Sequence, residues 1–84
     1  MKRLYETIVT THDTKNPEVE SNCADITFFN NTSGTIFINQ FPVAVGATLS
    51  IASTSPDDFN VTKYRISFNA ATGQVIVMKR IYKS

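Results

Sequence analysis

Two side chains in this sequence carry the chemistry of a nucleophile and a base, Cys23 and His12. A thiolate attacks efficiently only when a base takes its proton and a third group positions that base. Here the two lie eleven residues apart in the most polar and least patterned part of the chain. Cys23 reads better as a small apolar residue entering the first core strand. The carboxylates Asp57 and Asp58 are adjacent, so along any regular element they point apart, whereas glycoside chemistry needs two that face each other. Ser55-Pro56-Asp57-Asp58 reads instead as one helical turn, with a capping serine, a proline at the first position and acids after it. Phe59 would then plug the end of the core. A calcium site from Asp57, Asp58 and Asn60 with backbone carbonyls is the competing reading, but its oxygen ligands are few. One histidine and one cysteine exclude a His- or Cys-rich metal site and an intramolecular disulfide. The three glycines fall at turns, not in a phosphate-binding loop. The expectation is no enzyme activity, no cofactor and no metal.

A chain of 84 residues is one domain with a thin core. Burial and chain entropy nearly cancel at this size, and small natural domains add disulfides, metal or a partner chain. Association is the support left open here. The net charge of +1 is too balanced to point to nucleic acid or an anionic membrane. Lys79, Arg80 and Lys83 cluster near the C-terminus, which reads as a solvated strand end. The N-terminus has a basic pair but no apolar h-region, and no run approaches the ~20 apolar residues of a membrane-spanning helix. The chain is therefore expected to be made in a cytoplasm. Sequons at Asn30, Asn31 and Asn60 then read as chance in an Asn- and Thr-rich chain.

The remaining pattern is all-β. Leu4 to Thr10 suggests a strand, or an arm that becomes one on a partner. His12 to Asn22 carries almost no apolar residue except Val19 and reads as a linker or extended arm. Ordered structure is expected from Ala24 or Asp25, with Ile26 and Phe28 inward and Phe29 on the opposite face. Asn30 to Gly34 reads as a hairpin turn. Ile36 and Ile38 share one face of the next strand, with Phe37 on the other. Pro42 marks an edge, bulge or turn, and Gly46 a further turn. Leu49 and Ile51 point inward, as do Tyr64, Ile66 and Phe68. Ala70 to Gly73 reads as a four-residue hairpin loop. Val75 to Met78 is unbroken apolar sequence, so the last strand should be central or covered on both faces. Six or seven short strands at this spacing make a small antiparallel β-sandwich or barrel, residues 24–84, preceded by an extended N-terminal arm, residues 1–23.

Phe29, Phe37 and Phe41 lie off the main apolar face or in a turn. Three readings stay open for them: cover by a second sheet, a subunit interface, or a sugar-stacking platform. The interface reading draws on the enrichment of aromatics at such surfaces. The absence of tryptophan weakens the sugar reading.

The run Ile38-Asn39-Gln40-Phe41-Pro42, continuing through Gly46 to Leu49-Ser50-Ile51, resembles small β-sandwich virion proteins of tailed bacteriophages. Tyr64 to Phe68 and the terminal Met78 to Lys83 extend the resemblance over residues 24–83. It implies a capsid decoration, portal or tail accessory protein without enzyme activity, present in many copies, whose N-terminal arm drapes over a neighbour. Expected partners are other virion proteins or copies of itself, in an oligomer or larger assembly, with no nucleic acid and no membrane. Expected contacts are Leu4, Tyr5 and Ile8 on the arm and Phe29, Phe37 and Phe41 on the sandwich. Expected localisation is the virion, assembled in the host cytoplasm. Two other functions remain in view. One is a glycan- or receptor-binding β-module using Phe37, Phe41 and the Asp57 to Asn60 loop. The other is a small cytoplasmic inhibitor of a host protein.

Overall fold

The computed structural model describes residues 4–52 and 62–83. These form eight strands: β1 (Leu4–His12), β2 (Glu18–Glu20), β3 (Asp25–Thr32), β4 (Ile36–Ile38), β5 (Phe41–Val43), β6 (Thr48–Ile51), β7 (Lys63–Ser67) and β8 (Gly73–Lys83). All the ladders are antiparallel. They build two four-stranded sheets, β1-β8-β3-β6 and β2-β7-β4-β5. The class is all-β, as the strand spacing requires, and the two layers make it a small sandwich. The expected helical turn at Ser55 to Asp58, the Phe59 plug and the Asp57/Asp58/Asn60 cluster lie outside the described residues.

The core sits between the layers. Ile26, Phe28, Val75 and Val77 from the first sheet meet Val19, Ile36, Ile38, Tyr64 and Ile66 from the second, all buried. Period-2 alternation places them there, because every second side chain of a strand faces the same side. The Phe28 and Tyr64 rings meet edge to face across the layers, centroids 5.2 Å apart at 68°. At the Lys79 end, the Lys79 ammonium of β8 donates to the Glu20 carbonyl of β2 at 2.7 Å. Leu49 and Ile51 of β6 also lean on this core, with Thr48 and Ser50 outward, as the alternation predicts.

Three expectations are corrected. First, Asn30 to Thr32 is not a turn but the end of β3, paired with β8 down to Thr32 and Gly73. Asn30 is fully buried, because every polar atom of its amide finds a partner inside. Its Nδ2 donates to the carbonyls of Gly34 and Val43, both at 2.9 Å, and its Oδ1 accepts from the Thr32 backbone N–H at 3.0 Å and from the Thr32 hydroxyl. Gly34 does not adopt positive φ. Second, among the described strands only β4 and β5 are both consecutive and hydrogen-bonded to each other; β3 and β4, and β7 and β8, lie in different sheets. The turns expected to close hairpins carry the chain from one layer to the other.

Third, the stretch read as an arm is, from residue 4 onward, built into both sheets. β1 pairs with β8 over nine residues, from Leu4 opposite Lys83 to His12 opposite Val75. β2 pairs with β7, placing Glu18 beside Arg65 and Glu20 beside Lys63. Main-chain bonding explains how so polar a segment is ordered: Ile66 N–H donates to the Pro17 carbonyl at 2.8 Å, and Ser21 N–H to the Thr62 carbonyl at 3.2 Å. Val19, the apolar exception in the polar run from His12 to Asn22, is 1% exposed.

Candidate interaction surface

The groups with reactive chemistry are kept apart. His12 is buried at the end of β1, where Nδ1–H donates to the Asn16 carbonyl at 3.2 Å and Nε2 accepts from the Thr10 hydroxyl at 2.9 Å. Cys23 is buried beside the far end of β8, since Ala24 N–H donates to the Arg80 carbonyl at 2.8 Å. His12 of β1 stands opposite Val75, five residues before Arg80 on β8, so the two sites stand about 17 Å apart along that strand. Burial pushes the Cys23 thiol above its ordinary pKa, the nearby Lys79 charge opposes this and Asp25 adds to it. A thiol held protonated is a poor nucleophile. Among the described residues no three His, Cys, Asp or Glu side chains gather to hold a metal ion.

The surface with binding character is the outward face of the first sheet. β8 is central, as its apolar run implies, with Val75 and Val77 turned inward and fully buried. The alternate residues, Ile76 and Met78, must then point outward. Nothing among the described residues covers them. Val9 of β1 stands opposite Met78, and Phe29 of β3 opposite Ile76. Val9 is 57% and Met78 45% exposed, while Phe29 and Ile76 are half-buried by their neighbours. The four form one apolar stripe across three strands. Beside it lies a shallow cavity of about 350 Å³, with Thr7, Thr27, Ser50, Met78, Asp25 and Arg80 in its lining. The Arg80 guanidinium lies 3.6 Å from the Asp25 carboxylate there, and Thr27 and Ser50 share a 3.2 Å hydroxyl contact.

The second sheet shows a different outward face. Exposed ion pairs Arg65–Glu18 at 3.3 Å and Lys63–Glu20 at 3.9 Å run along β7 and β2. Beyond them a cavity of about 520 Å³ is lined by Phe37, Asn39, Gln40, Arg65 and Ser67. The β4–β5 turn shapes it, with Asn39 at φ 47° and Gln40 at φ 73°, the positive pair of a two-residue hairpin. The Asn39 side chain ties that turn to β7: its Oδ1 accepts from Arg65 N–H at 2.9 Å.

The expected contact residues therefore do not form one patch. Phe29 and Phe37 face outward from opposite sheets, each half-buried and neither covered by the other layer. Phe41 is 56% exposed at the edge strand β5, and Ile8 lies opposite Lys79 on the inward side of β1. Leu4 and Tyr5 extend β1 opposite Lys83 and Tyr82, past the last β3–β8 pair at Asp25 and Arg80. Val9, Ile76 and Met78 were not anticipated as surface contacts. The Val75 to Met78 run carried the signal, since a central strand apolar on both sides needs a cover on both. Comparison of the chain with protein-family models, curated proteins and solved structures yields no match.

Proposed function

We propose that this chain is a non-enzymatic structural protein that binds and stabilises neighbouring subunits of a larger assembly, a virion accessory protein of the kind it resembles. The observation that carries the reading is the stripe Val9–Met78–Ile76–Phe29, uncovered among the described residues on an otherwise well-sorted sandwich. Contiguous apolar surface rimmed by polar side chains marks an interaction site more often than a scattered exposed residue does. Thr7, Thr27, Thr48 and Ser50 supply such a rim. The partner of this reading presents an apolar surface to that face and lies in the virion.

Sedimentation of particles from cells that make the chain tests this. The protein should travel with the assembled particles, and Met78→Lys should move it to the light fractions while its melting curve is unchanged. Wild-type protein that never enters the heavy fractions overturns the reading.

A second reading, a glycan- or receptor-binding module, has one observation in its favour: the Phe37 ring beside Gln40 and Arg65 in the larger cavity. An aromatic face next to amide and guanidinium donors is chemistry that a sugar could use. A glycan array read with wild type and Phe37→Ala decides it, and the absence of any bound sugar removes it.

A further inference from the structure

We propose that β1 is a self-pairing edge, along which two copies of this chain join antiparallel about a two-fold axis at Ile8, fusing their first sheets into one of eight strands. This does not depend on the virion reading, which rests on a sheet face rather than an edge. Among the described residues the two sheets have four edge strands, and these are unequal. β2 and β5 have three residues each, the first with an acid at both ends and the second with Pro42 at its centre. β6 has four residues. Short strands, charges and proline are the devices that keep edges from pairing. β1 has none of them at full strength: nine residues, no glycine or proline, a single carboxylate at Glu6, and a run of Thr, Ile and Val. Among the described residues β8 is its only strand partner, so its other row of N–H and C=O groups faces outward.

The occupant follows from register. Antiparallel self-pairing must match like parity, because only alternate residues direct their N–H and C=O toward the open side. The one register that uses all nine residues places Ile8 opposite Ile8 of the second copy and Leu4 opposite His12. It places Glu6 opposite Thr10, so the two Glu6 carboxylates stand four residues apart, about 13 Å along the strand. No like charges face each other. Thr7 falls opposite Val9 on the outward side, so the apolar stripe of each copy runs on across the joint. The inward face continues likewise through Ile8. Such a contact is isologous and closes at two copies, without propagating into a fibre.

Light scattering on the purified chain, with disulfide trapping of variants that carry one introduced cysteine in a Cys23→Ala background, tests both pairing and register. A dimer is expected at about 100 µM that dissociates on dilution. Ile8→Cys should cross-link under mild oxidation, its Cα atoms lying within disulfide reach, and Glu6→Cys should not. Thr7→Glu combined with Val9→Glu sets introduced carboxylates opposite each other across the joint and should abolish the dimer. Within one chain the new acid at position 7 stands beside Arg80, so the fold is spared. A wild-type chain that stays monomeric at about 500 µM overturns the proposal and leaves the edge solvated or reserved for a strand of another protein. A dimer that persists in the double variant, or that cross-links through Glu6→Cys, overturns it as well.

Discussion

Asn30 of β3 and Val43 of β5 belong to different sheets, and the Asn30 amide donates to the Val43 carbonyl across the core at 2.9 Å. The same side chain holds the Gly34 carbonyl and both donors of Thr32. Around it, Asn30 N–H donates to the Ala47 carbonyl at 3.0 Å and Gly46 N–H to the Asn30 carbonyl at 2.9 Å. One buried residue thus fastens the ends of β3, β4, β5 and β6. Asn30→Ala should lower stability by about 3 kcal/mol, since it orphans buried partners as well as losing bonds. Asn30→Asp should cost at least as much at neutral pH, because a carboxylate would face two carbonyl oxygens. Urea denaturation measures both.

The two glycines at positive φ separate backbone strain from steric conflict. Gly46 has φ 76° with open space where a Cβ would stand, so Gly46→Ala should cost only the left-handed penalty, about 1–2 kcal/mol. Gly73 has φ 117°, and a Cβ there would lie 2.8 Å from the Asn31 carbonyl oxygen and 3.0 Å from Thr32 Cα. Both obstacles are backbone in the paired strand β3, so Gly73→Ala should cost clearly more. Ala70 is the converse case, a non-glycine residue at φ 71°. Ala70→Gly should raise stability by up to about 1 kcal/mol, visible as a higher melting temperature.

Alkaline pH should weaken the fold through Cys23. Burial raises its pKa in the folded state above the unfolded value. The folded form therefore retains a proton that the unfolded chain gives up. That contribution is complete below the ordinary thiol range and is lost as pH rises through the folded pKa. Melting temperatures taken across the alkaline range should fall in wild type, and Cys23→Ala should remove this part of the slope. Thiol reagents should label Cys23 in native protein only at the rate of unfolding.

The N-terminal strands should prove part of the folding unit. Val19→Ala should cost about 2 kcal/mol, as expected for a buried side chain in a thin core. Removing residues 1–22 takes away β1 and β2 and exposes the edges of β8 and β7. Loss of a cooperative unfolding transition is the expected result. A truncated chain that melts as sharply as wild type would show that the strands are dispensable.

Met78→Lys should change stability by less than about 0.5 kcal/mol, since Met78 contributes an exposed face and no core contact. Phe28→Ala, one layer inward, should cost about 3–5 kcal/mol. Parallel urea titrations of the two variants test the assignment of faces.

Alternation along β3, β4, β6 and β7 was legible from residue types alone, because a strand sorts its side chains by simple parity. Ile26 and Phe28, Ile36 and Ile38, and Tyr64, Ile66 and Phe68 were all placed inward by that rule, and all are buried. The turn at Gly46 and the positive φ at Gly73 were equally legible, as was the central place of the Val75 to Met78 strand, whereas Gly34, expected at positive φ, does not adopt it. Turn residues, however, report only that the chain reverses, not which strand it reverses onto. The hairpins expected at Asn30–Gly34 and Ala70–Gly73 became crossings between layers for that reason. Polar segments hide their order in a similar way: β2 is held by main-chain bonds to β7, which leave no trace in hydropathy. The all-β class, the core residues and the separation of inward from outward faces are local properties of the sequence. The strand order, the burial of Asn30 and the place of β1 at the edge of its sheet among the described strands depend on pairings between residues as far apart as Leu4 and Lys83, and those are settled only when the two layers close on each other.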